Sequence, residues 1–303
     1  MPVSEALDGE PADLSPTLTD DALATIQTHG DPIRSWARLL TPVVGEAKLR
    51  IDEDGLHVTA VDPANVFMVD LEAPAAGFEA FETSGEHVVG LNLARFQDAV
   101  KWARKRGDDG DPVAIEILDD PSRMRVTITR EDQQMQRVSE WFNIDTKSIR
   151  EEPNIPSLDL YNRATPDIDA FADAVDALDT NHDHTYLTRD GTDLLLASQA
   201  GGDTRPDEDV DSDLDSNPED AVRLAATAWD ARDEDAAEAD SSIFSNGYLA
   251  DIASALPAAK ADRVTVKWGE QVPARFAFEH EDWGFSGHFM IAPRKTRETE
   301  ADA

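Results

Sequence analysis

The stretch "LRIDEDGLHVTAVDPANVFMVDLE" (residues 49–72) alternates apolar and polar residues on both sides of a short break. Alternation at period two predicts β-strands. The break at Asp62–Asn65 predicts a turn, because Pro63 fixes φ and Asn65 tolerates the left-handed region. The four apolar residues 66–69 exceed what a strand with one solvated face requires. The sequence therefore predicts paired strands with an unexplained apolar rim beside the turn.

The same order of elements occurs in both halves of the chain: helix, hairpin, strand, helix, then three strands. Helical spacing of apolar residues predicts helices at 31–43, 90–106, 167–179 and 245–260. Alternation predicts strands at 23–29, 47–52, 55–62, 66–72, 112–118, 123–130, 134–142, 184–198 (a hairpin), 221–230, 262–269, 272–280 and 284–293. Because sequence identity between the halves is low, the predicted repeat is one of element order.

The segment 143–166 separates the halves, with prolines and no clear period. We interpret it as an interdomain connecting loop between an N-terminal domain (22–142) and a C-terminal domain (167–296). Acidic, low-complexity composition predicts a disordered extension at 1–21, an insertion at 201–220, a similar loop at 231–240 and a disordered tail at 297–303.

The charge balance is extreme, with 63 acidic against 27 basic residues and a formal net charge of −36. Such a chain repels itself in dilute buffer and is favoured where salt screens charge, which indicates a protein of a halophile with a high-salt cell interior, or of a virus of one. The absence of cysteine excludes a disulfide framework and a thiolate site. No apolar run approaches the length of a membrane span, and the acidic N-terminus is unlike a secretory signal. We therefore expect a cytoplasmic protein with no membrane partner.

Four stretches resemble proliferating cell nuclear antigen (PCNA), the DNA sliding clamp, in its haloarchaeal or haloarchaeal-virus form. They are residues 49–72, "FNIDTKSIREEPNIPSLDL" (142–160), "FSNGYLADIASALP" (244–257), and the strands from "VPARFAFEH" (272–280) to "FMIAPR" (289–294). The resemblance covers about residues 22–296.

The resemblance implies an α+β fold of two similar clamp domains. Each would be a pair of βαβββ units with helices on the inner face and sheets outside. Three chains would close into a pseudo-sixfold homotrimeric ring, the strand near 135–141 pairing with the strand near 221–229 of a neighbour. The implied function is a processivity factor that encircles double-stranded DNA without sequence preference. It would tether DNA polymerase, the clamp loader and other proteins with a clamp-interacting peptide motif.

The resemblance also offers an explanation for the apolar rim. In this family a partner motif docks between the central loop, the connector and the C-terminal tail. Carried over by position, the partner-binding residues are Val61, Asn65, Val66, Met68, Ile155, Pro156, Pro273, Met290, Ala292 and Pro293. Met68 and Met290 suit a surface that accepts different anchors. The alternative interpretation is that these residues are ordinary strand core and a stiff linker.

Basic residues concentrate on the first two predicted helices and could contact phosphates without reading sequence. The predicted DNA-binding residues are Arg34, Arg38, Arg95, Lys101, Arg104, Lys105 and Lys260. The helix at 167–179 departs from the family pattern, with Asp173 and Asp176 where cations are expected.

That departure leaves a second hypothesis open: a monomeric or non-loading clamp-fold protein that only binds or competes for replication partners. A third, from another class, is a halophilic β-rich enzyme with an unrecognised site. No catalytic constellation, cofactor or metal site is predicted. His182 and His184 lack a third ligand nearby, and Leu214 replaces the glycine that a calcium loop requires.

Overall fold

The structure is a computed structural model. It describes residues 18–19, 21–104, 110–153, 158, 160–178, 183–190, 192–198, 220–225, 229–230, 241–280 and 282–294. The expected extension at 1–21 and insertion at 201–220 lie outside these ranges, except for residues 18, 19, 21 and 220. The acidic loop 231–240, the tail 297–303 and His182 lie entirely outside them.

The first half contains two βαβββ units and one additional short strand. Its elements are β1 (Ala24–His29), α1 (Gly30–Leu40), β2 (Glu46–Asp52), β3 (Gly55–Val61), β4 (Phe67–Pro74), β5 (Ala80–Thr83), β6 (His87–Asn92), α2 (Leu93–Val100), β7 (Pro112–Leu118), β8 (Arg123–Arg130) and β9 (Met135–Phe142). The additional strand is β5, between the two units.

The second half repeats this order. Its elements are β10 (Asn162–Ala164), α3 (Ile168–Leu178), β11 (His184–Asp190), β12 (Asp193–Ser198), β13 (Asp220–Leu224), β14 (Trp229–Asp230), β15 (Ser242–Ser245), α4 (Asn246–Ala255), β16 (Thr265–Trp268), β17 (Ala274–Glu279) and β18 (Ser286–Ile291). A 3₁₀ turn at Leu256–Ala259 extends α4. The repeat of element order predicted from the sequence is thus present as four βαβββ units.

The strands of the described residues form three antiparallel sheets, one of which joins the two halves. The first half has the sheet β5-β1-β7-β8-β9, and the second half has β13-β12-β11-β15. The central sheet has the order β14-β10-β16-β17-β18-β4-β3-β2-β6, so β18 pairs with β4, for example Phe289 with Val69. The two halves therefore share a continuous sheet.

The four helices cover one face of the sheets. In α1, the apolar residues Ile33, Trp36 and Leu39 recur at helical spacing and are buried, whereas Arg38 on the opposite side is exposed. Trp36 meets Phe96 of α2 edge-to-face, with ring centroids 5.9 Å apart. Helix α1 also contacts the 3₁₀ turn at 256–259, and α3 contacts α4. The helices of both halves thus form one layer, and the opposite side of the central sheet is called the outer face below.

Three predicted segments differ from the observed elements in type or number. The helix predicted at 90–106 begins at Leu93, because residues 90–92 finish β6 and the Asn92 side chain caps the helix by accepting from the Arg95 amide at 3.0 Å. The strand predicted at 221–230 is instead β13 and β14, which belong to different sheets. Finally, Asn162–Ala164, expected within the connector, form β10 of the central sheet.

Candidate functional site

The run of four apolar residues at 66–69 is explained by both faces of β4. Phe67 and Val69 belong to the core beneath the helices, as does Leu71. Met68 points to the outer face, where it pairs laterally with Val61 of β3 and Met290 of β18. Val61, Met68 and Met290, called the apolar row, therefore lie side by side across three strands.

Asp62 fixes the turn that ends the apolar row. One carboxylate oxygen accepts the amides of Val66 and Phe67 at 2.8 and 2.9 Å, and the other accepts the amide of Ala64 at 3.2 Å. Burial by itself would raise the pKa of Asp62, but these bonds and one from the Tyr248 hydroxyl outweigh it and lower the pKa. Asn65 has φ +57°, as expected of a residue tolerant of the left-handed region.

The connector crosses the outer face toward this turn. Ile144 bridges to Gly90 of β6, where a Cβ would lie 2.1 Å from the Ile144 carbonyl oxygen, so only glycine permits this approach. Farther along, Glu152 pairs with Arg50 of β2 at 2.7 Å. Arg150 then donates to the Asn65 side chain at 2.6 Å and to the Pro63 carbonyl at 3.1 Å. The connector is therefore attached to the turn itself.

The C-terminal tail reaches the turn from the other side. The Ala292 amide donates to the Val66 carbonyl at 2.8 Å, and the Arg294 amide donates to the Ile243 carbonyl at 2.8 Å. Pro293 lies between these two bonds and is half-buried. Pro273 immediately precedes β17, whose first residue, Ala274, pairs with Ile291.

Eight of the ten predicted partner-binding residues thus lie on the apolar row, the turn, the tail or the adjoining end of β17. They are Val61, Asn65, Val66, Met68, Pro273, Met290, Ala292 and Pro293. Ile155 and Pro156 lie outside the described residues. Sequence reasoning missed Asp62 and Arg150. An Asp before Pro-Ala-Asn is a recognisable turn signal, but no local pattern announces a bond from Arg150 to a residue 85 positions away.

A polar network borders the apolar row on the outer face. Asp70 accepts from the Thr59 hydroxyl at 2.7 Å and contacts His57 Nε2 at 2.8 Å. His288 pairs with Asp70 across the strands, and its Nδ1 lies 3.1 Å from the Arg275 guanidinium. The hydrogen bond to Asp70 raises the pKa of His57 against the effect of burial. Burial lowers the pKa of His288 to about 4, with a further contribution from Arg275.

We expect the free energy of unfolding to decrease as the pH falls below about 6.5, where unfolded histidine takes up a proton. Folded His288 stays neutral until about pH 4, so the unfolded chain binds more protons in this window. The contribution is on the order of 1 kcal/mol at about pH 5. His57 has the opposite effect on the free energy of unfolding. Its stabilisation of the fold is complete below about pH 6.5 and is lost as the pH rises through its raised pKa.

Denaturant unfolding at high salt, at about pH 7 and about pH 5, measures this difference. His288→Gln should reduce the loss on acidification, whereas His57→Gln, which removes a contribution of the opposite sign, should not reduce it. Since burial is the main cause of the His288 shift, the effect should persist at high salt. An acid dependence identical in His288→Gln and the unmodified protein would contradict the assignment.

The predicted DNA-binding residues divide into exposed and engaged side chains. Arg38, Arg95, Lys101 and Lys260 are exposed. Arg34 forms an ion pair with Asp31 and donates a hydrogen bond to the Ala103 carbonyl. Arg104 forms ion pairs with Asp111 and Asp132 at 3.3 and 2.8 Å. Lys105 lies outside the described residues.

The helical layer has opposite charge in its two halves. Helices α1 and α2, with the residue that follows α2, expose the cations Arg38, Arg95 and Lys101 against one acid, Asp98. Helices α3 and α4 expose Asp169, Asp173, Asp176 and Asp251 and contain no Lys or Arg. A phosphate backbone would be attracted to the first part of the layer and repelled by the second.

Comparison with known proteins agrees with the fold. The family described as "Proliferating cell nuclear antigen, N-terminal domain" matches residues 37–151. The DNA polymerase sliding clamp of Natronomonas pharaonis is 35% identical over 273 residues, covering 90% of this chain and 97% of that protein. The clamp of Haloarcula marismortui is 32% identical over 264 residues, covering 87% and 95% of the two chains.

Solved structures give the same result. The structure titled "C-terminal region of FEN-1 bound to A. fulgidus PCNA" matches with a TM-score of 0.68 and 25% identity, covering 90% of this chain and 98% of that chain. PCNA from Thermococcus kodakaraensis matches in fold, with a TM-score of 0.70 and 22% identity over 89% of this chain and 100% of that chain.

Four βαβββ units with their helices on one face, and a connector laid across the other, define a DNA clamp fold. With relatives above 30% identity over most of its length, the chain belongs to the family of DNA polymerase sliding clamps, the PCNA family. Its similarity to haloarchaeal members agrees with its acidic composition. None of the helices in the described part of the chain is long and apolar enough to cross a membrane.

Proposed function

We propose that this chain is a non-enzymatic processivity factor that closes into a homotrimeric ring around duplex DNA inside a high-salt archaeal cell. Bound at its outer face, a polymerase or another replication protein would stay near the DNA through topological linkage and a raised local concentration. The observation that carries the proposal is the apolar row, which ends where turn, connector and tail meet.

Partner binding is proposed at the apolar row and the tail. One similar structure is of the C-terminal region of FEN-1 bound to A. fulgidus PCNA. We propose that peptides of this kind, from polymerase or clamp loader, dock here. Burying two or three apolar anchors at about 1.5–3 kcal/mol each supports an interaction of about micromolar affinity after the costs of association. Titration with a synthetic clamp-interacting peptide tests this. Micromolar binding is expected, and its absence would contradict the proposal.

Ring closure is proposed through two sheet edges. Strand β9 ends the sheet of the first half, and β13 ends the sheet of the second half. Unpaired strand edges readily accept another chain, and β9 also exposes Met135 and Val138 by 47% and 54%. Pairing β9 of one copy with β13 of the next would bury this surface in a heterologous interface that closes on itself. Domains at 22–142 and 167–296, joined by the connector, would then give the ring six similar parts.

DNA binding is proposed at the exposed cations of α1 and α2. We expect Arg38→Ala with Lys101→Ala to weaken binding of short duplex DNA. The slope of log affinity against log salt should fall by about 0.9 for each phosphate that is no longer neutralised. The matched control is Lys147→Ala with Arg275→Ala, which removes one lysine and one arginine from the outer side. Fluorescence anisotropy over salt concentrations that preserve the oligomer measures the slopes. Equal effects in both double variants would contradict the assignment.

The acidic helices favour one alternative function. Helices α3 and α4 present Asp173, Asp176 and Asp251, which would repel DNA phosphates. In this alternative the chain is a clamp-fold protein that binds or competes for replication partners without encircling DNA. Under the main proposal, high salt screens these carboxylates and topology holds the ring in place. Retention on circular DNA distinguishes the two functions.

A further inference from the structure

One hydrogen bond connects the turn beside the apolar row to the helical layer. The Tyr248 hydroxyl of α4 donates to the Asp62 carboxylate at 3.0 Å, across 186 residues of sequence. The Tyr248 ring also packs against Phe67, the residue that follows the turn, with centroids 5.7 Å apart. A helix of the second half thus touches both ends of a turn in the first half.

Asp62 is the centre of this arrangement. It is only 7% exposed, and its two oxygens accept the amides of Ala64, Val66 and Phe67 as well as the Tyr248 hydroxyl. The amides of Ala64 and Val66 belong to the turn and that of Phe67 to the first residue of β4, so all three bonds lie within the β3–β4 hairpin. The bond from Tyr248 comes from a separate element, so it anchors the carboxylate to the rest of the protein.

We propose that Tyr248 is a positioning residue that, through Asp62, holds the 62–66 turn in the conformation required for partner binding. The inference rests on the proposed partner-binding function and adds a determinant outside the docking surface. The turn carries Asn65, to which the connector is attached, and Val66, to which the tail is attached. The position of the turn therefore sets the positions of the connector and the tail beside the apolar row. A turn that is already ordered lowers the entropic cost of binding a peptide.

The test compares Tyr248→Phe with Tyr186→Phe. Both variants lose one phenolic hydroxyl, but Tyr186 lies on β11, which pairs with β12 and β15 and not with the strands that flank the turn. Tyr248→Phe keeps the ring that packs on Phe67, so the fold and oligomeric state should be unchanged. We expect peptide affinity to fall about two- to tenfold, the range of one net hydrogen bond, and hydrogen exchange in a peptide covering residues 61–69 to accelerate. Tyr186→Phe should change neither quantity.

The two readouts separate this inference from the proposed function. If the unmodified protein binds no clamp-interacting peptide, the docking proposal fails, while hydrogen exchange still tests whether Tyr248 holds the turn. If the unmodified protein binds and Tyr248→Phe matches it in both affinity and exchange, the positioning role is wrong. A loss of affinity accompanied by unchanged exchange at 61–69 would also overturn it, because the turn would then be held without the hydroxyl. Asp62→Asn, which keeps a side-chain oxygen acceptor, should show an intermediate effect if the carboxylate transmits the restraint.

Discussion

Replacing Met68 with glutamate is expected to weaken binding of a clamp-interacting peptide by at least about a hundredfold. Met68 occupies the middle of the apolar row, between Val61 and Met290, and is 9% exposed. A docked anchor would remove a carboxylate at this position from water without providing a partner for its charge. The free-energy cost of desolvating that charge exceeds the free energy gained by burying one apolar anchor. Calorimetric titration at high salt, where long-range repulsion is screened, isolates this local effect.

Val88→Glu is the matched control for this experiment. Val88 is an apolar residue on β6 of the same sheet, 39% exposed and away from the row, so the same change in charge should leave peptide affinity within about twofold. Because a buried glutamate could disturb the sheet, Met68→Gln provides an uncharged variant of similar length, with an expected loss of about tenfold. Normal affinity in a folded Met68→Glu or Met68→Gln variant would place the docking surface elsewhere.

Replacing Val138 with glutamate is expected to convert the proposed trimer to monomers. Val138 is 54% exposed on β9, the edge strand proposed to pair with β13 of a neighbouring copy. The change removes apolar burial from each interface and sets a new negative charge against a strand that begins at the exposed Asp220. Since the same interface occurs three times in a closed ring, the effect should apply to all three at once.

Light scattering coupled to size exclusion in about 3 M KCl measures the outcome at a salt concentration that screens the net charge. The unmodified protein should elute with three times the chain mass of 33.2 kDa, and Val138→Glu with that mass alone. Val88→Glu, which carries the same exchange on a strand that is not proposed to meet a neighbour, should remain trimeric. A trimeric Val138→Glu protein would contradict the β9–β13 interface, and a monomeric unmodified protein would favour the function without encirclement.

Local pattern predicts most of the elements because their periods are uninterrupted. The alternation through β2, β3 and β4 and the helical spacing of Ile33, Trp36 and Leu39 are both confirmed. The sequence predicts that α2 begins at residue 90, which is too early. Gly90 and Leu91 are apolar and fit the predicted helix, but they belong to β6, which ends at Asn92. It misses the strand β10 because three residues are too few to show a period.

Long-range pairing cannot be predicted from local pattern. Nothing in the sequence near Met68 indicates that it lies beside Met290, a neighbour set by the register of β4 against β18. The same holds for the bond between Asp62 and Tyr248. The family resemblance, rather than periodicity, connects the turn with the tail. The resemblance does not predict that Arg104 pairs with Asp111 and Asp132. These ion pairs depend on side-chain geometry at the end of the helical layer. Partner binding at the apolar row and the tail, with the contributions of Ile155 and Pro156, remains a prediction.

Retention on DNA of different topology tests the central claim most directly. The chain, a matching clamp loader and ATP would be incubated with nicked circular duplex DNA, and the complex would be isolated by gel filtration at high salt, where phosphate attraction is weak. The proposed ring should remain with the circle and be released when one restriction cut linearises it, because only topology holds it there. Equal retention on circular and linear DNA, or no retention on either with an active loader, would contradict encirclement.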